Sequence, residues 1–437
     1  MTNASRIGTE QPAMKPTTHA AFSPHRRNVA RAFLPKRLVF VLLGIAAYLT
    51  TLYAQRHPDW TEQAYSHVAY PVLSSIAGFL PSLVRFSVAE WVVLLFVLFC
   101  LWYVVHVVRA IVKGGRAAAM RPDTAGPSCE AAGEAPHAAG EPCGAEVGAG
   151  RAAAPARPYG RGVMLYRGVV GALAIACAAY AAFTALCGLN YYRLPFSSHL
   201  GYDVEQSSVE ELEGLCASLA DGLGQARAEI GEGVDLATGA GADFDRYAQA
   251  AVAATGRLAE QYPVLDRPFY SEPKPVLASG LMSDAGIAGM FFPFTMESNI
   301  NDDIPLFTLP STMAHELAHQ CGFMREDEAN FIAYLTCKQS DDPLVRYSGL
   351  YLAFSHSLSA LWRVDPQAAS ALRASLPEAV QRDIEGNARF WAQHEGAVSD
   401  ASQAMNDAYL KANNQADGVS SYGRMVDLLL AEQRAAA

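Results

Sequence analysis

The alternation of hydrophobic and polar positions divides the chain into an apolar first half and an amphipathic second half. Three apolar stretches cover residues 38–54, 88–112 and 169–189. Each approaches the length of about 20 residues that a helix needs to cross a bilayer. The alternatives are a cleaved signal peptide for the first and buried core helices for the others. Because core helices rarely run this long without charge, and no small-residue cleavage site follows Ala54, we predict three transmembrane helices.

The distribution of Lys and Arg around these stretches predicts their orientation. Basic residues are frequent in residues 1–37 and 113–168, whereas the connection between the first two stretches contains only Arg56 and Arg85. Short loops rich in Lys and Arg stay in the cytoplasm. We therefore predict a cytoplasmic N-terminal segment, a short external connection within residues 38–112 and, after three crossings, an extracytoplasmic domain at residues 190–437.

Residues 113–168 have the composition of a linker. Much of this segment is Ala, Gly and Pro with scattered Glu, as in AGPSCEAAGEAPHAAGEPCGAEVGAG, and it shows neither a period of 2 nor one of 3.6. Such a stretch cannot bury enough apolar surface to offset the entropy lost on ordering. We therefore predict a disordered cytoplasmic linker between the second and third spans.

Residues 190–437 have the patterning of a mainly helical domain. Helical apolar spacing covers residues 244–262. Helix starts are predicted at Ser207 or Ser208, each with Glu three positions later, and at Asp342 and Asp365, each followed by Pro.

One region of this domain favours strands. The segment from Gly286 to Asn301, GIAGMFFPFTMESNIN, is rich in Gly, Phe and Pro and suits one or two short strands that end in a turn. The predicted fold class is therefore a membrane α-helical part with three N-terminal transmembrane helices, followed by a mainly α domain of the α+β class.

Composition narrows the possible functions. Hydrophobic residues make up 51% of the chain and charged residues only 17%, which suits a membrane protein. The net charge of -10, without a dense basic run outside the membrane flanks, argues against nucleic-acid binding. The eight Cys lack the short paired spacings of a zinc ribbon. Cys216, Cys321 and Cys337 would face an oxidising exterior, so one pair among them is a candidate disulfide.

The segment TMAHELAHQCGFMREDEAN contains an HExxH motif formed by His315, Glu316 and His319. Within a helix, this spacing places both imidazoles on one face at the distance of zinc ligands. Glu316 then lies beside the metal, where it can hold a water molecule and take its proton. Pro310 suits the start of such a helix, and Gly322 can end it in the left-handed conformation.

A catalytic zinc site needs a third protein ligand and keeps a fourth position open for water. A second helix predicted to begin near Met324 offers Glu326, Asp327 and Glu328 in its first turn. We favour Glu326, with Glu328 as the alternative, because Glu326 and Asn330 are one helical turn apart on the same face. The amide of Asn330 can then hold the other ring nitrogen of a histidine. A solvated acidic first turn that complements the helix dipole would suit all three carboxylates equally.

The order of these residues resembles membrane-bound zinc metallopeptidases of the gluzincin kind, in which HExxH is followed by E-x-x-A-(D/N). The resemblance implies that His315, His319 and Glu326 are the zinc ligands and that Glu316 is the catalytic base. Asn330 stands where those enzymes often carry Asp.

A longer resemblance is to a bacterial multi-pass membrane family of unassigned function, the domain-of-unknown-function 3810 family. It runs through LNYYRLPF from Leu189, GMFFPFTMESNIN, HELAHQCGFMREDEANFIAYL and NDAYLKANNQADGVSSYGRMVDLL from Asn406. The resemblance extends over the membrane spans and nearly all of residues 190–437. It implies a zincin-like fold for the domain and a location in the bacterial cell membrane.

Other polar residues are weaker candidates for the chemistry. A peptidase needs a donor to the developing oxyanion besides zinc, and Tyr422 and Arg424 are candidates because each is polar within an otherwise apolar closing helix. Ordinary packing and a surface charge are the alternatives. Glu297, Asn299 and Asn301 are candidates to line a cleft, as an edge strand does when it pairs with an extended peptide. A polar turn is the alternative for these three.

These observations lead to two functional hypotheses. The first is an HExxH zinc metallopeptidase, a membrane-anchored hydrolase that cuts a peptide or protein substrate outside the cytoplasmic membrane. The second is a non-catalytic, membrane-tethered zinc-binding sensor or envelope assembly factor. A structural zinc site has no use for an acid/base beside its ligands, so the presence of Glu316 favours the enzyme. The lipid bilayer is the other partner that the sequence predicts.

Overall fold

The computed structural model describes residues 35–119, 160–205, 207–231, 233–239, 243–413 and 424–436. Its N-terminal part contains one short helix and three long ones. They are α1 (Pro35–Arg56), the short α2 (Tyr70–Ser82), α3 (Val88–Ala119) and α4 (Arg161–Leu186). Both ends of the predicted linker are therefore helical, and its residues 120–159 lie outside the described part of the chain.

Three of these helices are candidates for membrane spans, as the sequence predicts. The candidates are Lys36–Arg56, Val88–Lys113 and Arg161–Leu186, which are long and apolar enough to cross a membrane. Only 11%, 0% and 17% of the residues in their apolar windows are buried. A core helix would be surrounded by protein atoms, so this exposure favours contact with lipid over the core-helix alternative.

The described residues form two compact units. The first contains ends of the three long helices, at residues 35–41, 105–119 and 160–175. Within it, Nη1 of Arg37 donates to the carbonyl of Arg167 at 2.6 Å. The second unit contains residues 42–104 and the described residues from 176 onward, and it carries the HExxH motif.

Beyond α4 the second unit is mainly helical. Its further helices are α5 (Val209–Ile230), α6 (Phe244–Gln261), α7 (Ser279–Asp284), α8 (Leu309–Gln320), α9 (Glu326–Lys338), α10 (Pro343–Val364), α11 (Pro366–Ser375), α12 (Glu378–Gln393), α13 (Ala397–Ala412) and α14 (Met425–Ala436). Short 3-10 turns occupy Gly188–Tyr192, Phe196–His199, Pro263–Leu265 and Leu306–Thr308.

Capping bonds confirm the predicted helix starts. Ser208 forms a reciprocal capping box with the glutamate three residues later, at the start of α5. Asp342 accepts a hydrogen bond from the amide of Leu344 at 2.9 Å at the start of α10. Asp365 does the same with the amide of Ala368 at 2.8 Å at the start of α11. These bonds satisfy amides that the first turn of a helix leaves without a backbone partner.

Helix α8, which contains the HExxH motif, and the following helix α9 lie at the centre of the hydrophobic core. Buried side chains of α8 and α9 pack among those of α5, α6, α10 and α14. Every residue of α9 from Asp327 to Cys337 is buried. A helix buried on all sides is typical of the interior of a large domain. Both helices are therefore held by dense packing, which fixes the positions of their side chains.

A three-stranded sheet lies beside α8. Strand β1 (Lys274–Pro275) pairs in parallel with β3 (Glu297–Ile300), and β2 (Gly289–Phe292) pairs antiparallel with β3. The strand order is therefore β1-β3-β2. The β2–β3 hairpin confirms the strands predicted within residues 286–301. Strand β1 is only two residues long, so no alternation in the sequence predicts it.

The connection between α1 and α3 is a folded part of the second unit. It begins with a helical turn at Pro58–Trp60 and continues as a π-helix, Thr61–Ala69, into α2. Tyr65 and Tyr70 are buried in a second apolar cluster together with Tyr191. This connection therefore folds together with the C-terminal domain, although the sequence predicts only a short external loop.

The candidate disulfide does not form. Cys216, Cys321 and Cys337 are free thiols, and all three are buried. Burial raises the pKa of Cys216 to about 12, that of Cys321 to about 11 and that of Cys337 to about 12. The expectation of a bridge among them is wrong, because each packs separately as a small apolar side chain.

Candidate metal centre

Helix α8 carries the three residues of the HExxH motif and has well-defined ends. Pro310 stands in its first turn, where the missing amide costs no helical hydrogen bond. At the other end, the amide of Gly322 donates to the carbonyl of His319 at 2.9 Å, and the next amide donates to the carbonyl of Ala318 at 3.1 Å. Gly322 has a φ of 86°, the left-handed conformation that the sequence predicts. This hydrogen-bonded turn at Gly322 fixes the end of the helix and thereby the position of His319.

The first residue of α9 faces both histidines. Oε2 of Glu326 lies 3.2 Å from Nε2 of His315, and Oε1 lies 3.8 Å from Nε2 of His319. The ligand atoms of the three residues all lie within 4.8 Å of one another. Their side chains are 15% (His315), 10% (His319) and 17% (Glu326) exposed, so the group is enclosed but reachable. The structure thus brings together the three predicted ligands.

The other ring nitrogen of each histidine is held by a neighbouring oxygen. Nδ1 of His315 lies 2.8 Å from Oδ1 of Asn330, the contact expected from the spacing of Glu326 and Asn330. Nδ1 of His319 lies 2.7 Å from the carbonyl oxygen of Phe323. Because a carbonyl only accepts, Nδ1 of His319 carries the proton and Nε2 presents its lone pair. Such contacts orient imidazole ligands in metal sites.

The carboxylate and the imidazoles shift one another's proton affinities. Burial lowers the pKa of His315, but the hydrogen bond and charge of Glu326 outweigh burial and raise it to about 9. Burial and the charge of His315 lower the pKa of His319 to about 4. Burial raises the pKa of Glu326, but the hydrogen bond and charge of His315 bring it below its usual value. At neutral pH the metal-free group therefore contains a neutral His319 and a protonated His315 paired with Glu326, so metal binding must release the proton of His315.

Glu316 lies next to this group and its carboxylate is only partly bonded. The side chain is buried, and the backbone amide of Phe291 in β2 donates to it. Among the described residues, its Oε2 has no hydrogen-bond partner. Burial, opposed by the charge of His315, raises the pKa of Glu316 to about 7. A carboxyl group with a free oxygen and a pKa near neutrality is suited to accept and return a proton.

The other acidic side chains in the first turn of α9 have different surroundings. Glu328, the alternative third ligand, accepts hydrogen bonds from the amide of Phe196 and the guanidinium of Arg325, each at 3.0 Å. Within the described ranges, the ligand group contains Glu326 and neither Asp327 nor Glu328. The geometry therefore favours Glu326 as the third ligand.

Of the two predicted oxyanion donors, only Arg424 lies among the described residues. Tyr422 lies outside the described residues. Arg424 directly precedes α14, and its charge counteracts the burial that raises the pKa values of Asp327 and Asp427. Arg424 therefore stands near these two carboxyl groups.

Two tyrosines that the sequence does not single out approach the metal-binding group. The hydroxyl oxygens of Tyr191 and Tyr409 are 2.9 Å apart. Burial is the main cause that raises the pKa of both, and the negative charge of Glu326 adds to it. Tyr191 is buried, whereas Tyr409 is 42% exposed. Their separation of 218 residues gives no spacing signal, and the hint in the sequence is that each lies in a quoted family motif, Tyr191 in LNYYRLPF and Tyr409 in the segment from Asn406.

The polar residues of β3 and its end do not line a cleft. Glu297, Asn299 and Asn301 are 0%, 5% and 0% exposed. Glu297 accepts a hydrogen bond from Lys274 at 2.6 Å and from the first two amides of α3 at 3.0 and 2.8 Å. Asn299 accepts from the hydroxyl of Ser87 at 2.6 Å. The cleft interpretation is therefore wrong, because Glu297 and Asn299 tie the sheet to the start of α3. Asn301 is buried and donates to the hydroxyl of Ser283 at 2.9 Å.

The donor set around His315 fits a zinc ion. Two imidazole nitrogens and one carboxylate oxygen form one of the common ligand sets of catalytic zinc. The Nε2 atoms of both histidines converge on Glu326, and beside them stands Glu316, one oxygen of which has no partner among the residues that the structure describes. Calcium and magnesium prefer oxygen ligands, so the two imidazoles favour a transition metal.

Comparison with known proteins gives a family. A family model described as "Protein of unknown function (DUF3810)" matches residues 157–430. The match begins shortly before α4, so the first two candidate spans lie outside it, although the resemblance of the motifs extends over all three. No curated protein and no solved structure matches the chain, and the zincin-like fold stays a prediction. Since the matched residues make up more than half of its length, the chain belongs to the DUF3810 family of proteins of unknown function.

Proposed function

We propose that this chain is a membrane-anchored, zinc-dependent metallopeptidase that hydrolyses peptide bonds in a peptide or protein outside the cytoplasmic membrane. One observation carries the proposal. A two-histidine, one-carboxylate group stands beside a buried glutamate whose second oxygen has no partner among the described residues. Both parts are needed for hydrolysis, because the first binds a metal and the second moves protons.

His315, His319 and Glu326 would hold the zinc ion. When bound, zinc supplies a Lewis acid that acidifies water and polarises a carbonyl oxygen. Glu316 takes the proton of the attacking water through its free oxygen and later gives it to the leaving amine. Its pKa of about 7 suits both steps, since the group can be charged before the attack and neutral after it.

The pair Tyr191 and Tyr409 is suited to donate a hydrogen bond to the developing oxyanion. Tyr409 is partly exposed, and its hydroxyl is held by that of Tyr191. Removal of one oxyanion donor typically lowers kcat by about 100-fold to 1,000-fold. We expect Tyr409→Phe to lower kcat on this scale while zinc content stays unchanged. A Tyr409→Phe enzyme with full kcat would remove the tyrosine from this role.

Strand β2 is suited to align an extended substrate. Among the described strands it pairs only with β3, so its other edge has no strand partner, although the amide of Phe291 already donates to Glu316. Gly289 of β2 lies against Glu316, where any Cβ would lie 2.6 Å from Oε1. A peptide added to this edge would therefore pass close to the catalytic base.

The non-catalytic sensor or assembly factor remains the alternative function. A structural zinc site needs its ligands but no unpartnered carboxylate beside them. Burying a carboxyl group without a complete set of partners destabilises the fold. The position of Glu316 is therefore better explained by catalysis than by zinc storage.

The test compares metal content and peptide cleavage in the purified full-length chain. We expect one zinc per chain in the wild type, and loss of zinc in His315→Ala and His319→Ala. His394→Ala is the control, because His394 pairs with Asp284 outside the metal-binding group and should keep full zinc content. Glu316→Gln should retain zinc and lose cleavage of a peptide library. Full zinc in the two ligand variants would contradict the site, and cleavage by Glu316→Gln would contradict the mechanism.

The external location needs its own measurement. We fuse a reporter enzyme that works only after export to the end of the chain, after Ala437. It should be active, because the basic flanks predict an external C-terminal domain. A fusion that is made but inactive would place the metal centre on the other side.

A further inference from the structure

A stripe of exposed apolar side chains runs along α2, outside the three candidate membrane spans. Its members are spaced four, three, one and three residues apart, which places them on one face of the helix. They are Val72 (58% exposed), Ile76 (71%), Phe79 (57%), Leu80 (73%) and Leu83 (67%). The sequence of α2, YPVLSSIAGFLPS, contains no charged residue. A contiguous apolar stripe of this kind marks an interaction surface.

The segment that contains α2 begins and ends at one membrane surface. Helix α1 ends at Arg56 and α3 begins at Val88, and two consecutive spans leave and re-enter a membrane on the same side. Tyr53 and Trp60 stand at the first of these points, with ring centroids 5.1 Å apart in an edge-to-face arrangement. Tyr and Trp are enriched at the boundary between lipid and water. The connection therefore starts within the interface of the bilayer.

Two more exposed leucines lie near the start of α7, next to a strand that is bonded to α2. Leu277 is 81% exposed and Leu281 is 71% exposed. Glu90, in the first turn of α3, accepts a hydrogen bond from the amide of Leu277 at 3.0 Å. Nζ of Lys274 donates to the carbonyl of Pro81 in α2 at 2.5 Å. Strand β1 is thus bonded to α2, and the segment that follows it is bonded to a candidate span.

We propose that the stripe of α2, together with Leu277 and Leu281, forms a lipid-binding surface in the headgroup region of the leaflet that α3 enters. Helix α2 has 13 residues, and at about 1.5 Å per residue it is too short to cross about 30 Å of hydrocarbon. It therefore lies along the membrane surface. The exposed apolar surface runs up to the start of α3, which is a candidate membrane span. The molecules that cover this surface are therefore the lipids that surround the span.

This lipid-binding surface holds the metal centre close to the bilayer, whether or not the site is catalytic. Asn299 of β3, bonded to Ser87 at the start of α3, also donates to the carbonyl of Met290 in β2 at 3.2 Å. Tyr70 of α2 donates to the carbonyl of Gln320 at 3.0 Å, at the end of α8. The sheet and α2 thus connect α8 to the membrane surface at two separate points.

Photo-crosslinking to lipid tests this proposal on the full-length chain. The photoreactive residue p-benzoylphenylalanine replaces Leu80 or Leu281 in separate proteins, which are reconstituted into vesicles of phosphatidylethanolamine and phosphatidylglycerol. Val364 provides the matched control, because it is 56% exposed at the end of α10, whose described hydrogen bonds run to other residues of the C-terminal domain. Leu98, 51% exposed within α3, provides the positive control. Adducts are identified by mass spectrometry after irradiation.

We expect lipid adducts at Leu80 and Leu281 in yields within about twofold of that at Leu98, and at least about tenfold lower yields at Val364. These yields depend on neither zinc nor peptidase activity, so they are separate from the test of the enzyme. Two results would overturn the proposal. One is that at least one of the two leucines gives no lipid adduct while Leu98 gives one. The other is an adduct between two copies of the chain at Leu80, which would identify a dimer contact instead.

Discussion

Gly289 sets the distance between strand β2 and the side chain of Glu316. A Cβ at this position would lie 2.6 Å from Oε1 of Glu316 and 2.9 Å from a methyl carbon of Thr312. Real side chains do not approach this closely, so Gly289→Ala must displace the carboxylate or the strand. Displacement of a catalytic group by about 1 Å typically lowers the rate by about 100-fold.

We therefore expect Gly289→Ala to lower kcat by about 100-fold and to leave zinc content at one per chain. The control is Gly256→Ala in α6, where a Cβ meets no atom within 4 Å. Peptide cleavage and zinc content are measured on the same preparations. Unchanged kcat in Gly289→Ala would show that the close contact has no catalytic importance.

Glu326 and Glu328 give a second prediction at the scale of the residue. Glu326 faces both histidines, whereas Glu328 accepts from Phe196 and Arg325. We expect Glu326→Gln to lower zinc affinity by at least about tenfold, as losses in a metal site's ligand shell do. Glu328→Gln should cost less affinity and instead lower thermal stability. A zinc titration in which Glu328→Gln is the weaker binder would transfer the ligand role to Glu328.

The residues of the metal centre are predictable because they are close in sequence. His315, His319, Glu326 and Asn330 lie within 16 positions on two consecutive helices, so helical geometry brings them together. Glu297 is misassigned because its partners at the start of α3 lie 208 and 209 residues earlier. Burial by residues so distant in sequence has no local signature.

At the scale of the element, the π-helix before α2 is joined to the domain by a buried ion pair. Glu62 receives two hydrogen bonds from Arg193, at 2.6 and 2.9 Å, and both side chains are almost fully buried. Burial raises the pKa of Glu62, but the hydrogen bonds from His199 and Arg193 outweigh burial and hold it well below its usual value. The charged form of Glu62 is therefore the one that stabilises the folded chain.

A group whose pKa is lowered by folding stabilises the folded state above its unfolded pKa and loses that contribution as the pH falls. We expect the melting temperature of the metal-free chain to fall as the pH is lowered from about 5. Glu62→Gln should cost about 3–5 kcal/mol at pH 7, because it leaves Arg193 buried without a charge partner. The melting temperature of this variant should also depend less on pH below about 5.

Thermal unfolding in detergent between pH 7 and pH 3 checks this prediction. The control is Glu378→Gln, which removes a solvent-exposed pair with Arg382 and should change stability by at most about 1 kcal/mol. If Glu62→Gln and Glu378→Gln have equal effects at pH 7, the buried pair does not hold the π-helix in place.

The sequence predicts elements that carry a local signal and misses those that depend on distant contacts. The three long apolar helices, α5, α10, α11 and the β2–β3 hairpin follow from apolar length, capping residues and strand composition. The π-helix at Thr61–Ala69 and α2 are not predicted, because they are buried on one side by residues about 120 to 250 positions away. Tertiary contacts of this range decide the structure of such segments more than local preference does.

At the scale of the whole molecule, the metal centre and the N-terminal connection share one compact unit. A chain reduced to residues 190–437 would lack Glu62, which pairs with Arg193, and Tyr70, which contacts the end of α8. We expect this shortened chain to show no cooperative unfolding transition and to bind less than one zinc per chain. A chain of residues 35–437 in detergent is the control and should behave like the full-length protein.

Differential scanning calorimetry and metal analysis distinguish these outcomes. A monomeric 190–437 chain that unfolds cooperatively and binds one zinc would show that the domain is independent of its membrane segments. The test also distinguishes two roles of the N-terminal helices. If they only anchor the domain in the membrane, their removal leaves its unfolding and zinc binding unchanged. If the domain needs them in order to fold, both are lost.

The bond from Tyr70 to the end of α8 also has a consequence for the order of folding. It joins residues 250 positions apart, and the pair of Glu62 and Arg193 joins residues 131 positions apart. Contacts of such long range close large loops and form slowly. Ribosomal synthesis delivers Tyr70 long before Gln320, so these last contacts around α8 cannot form until most of the chain exists. A newly made chain therefore has a period in which its first two candidate spans already exist but the candidate metal centre is incomplete.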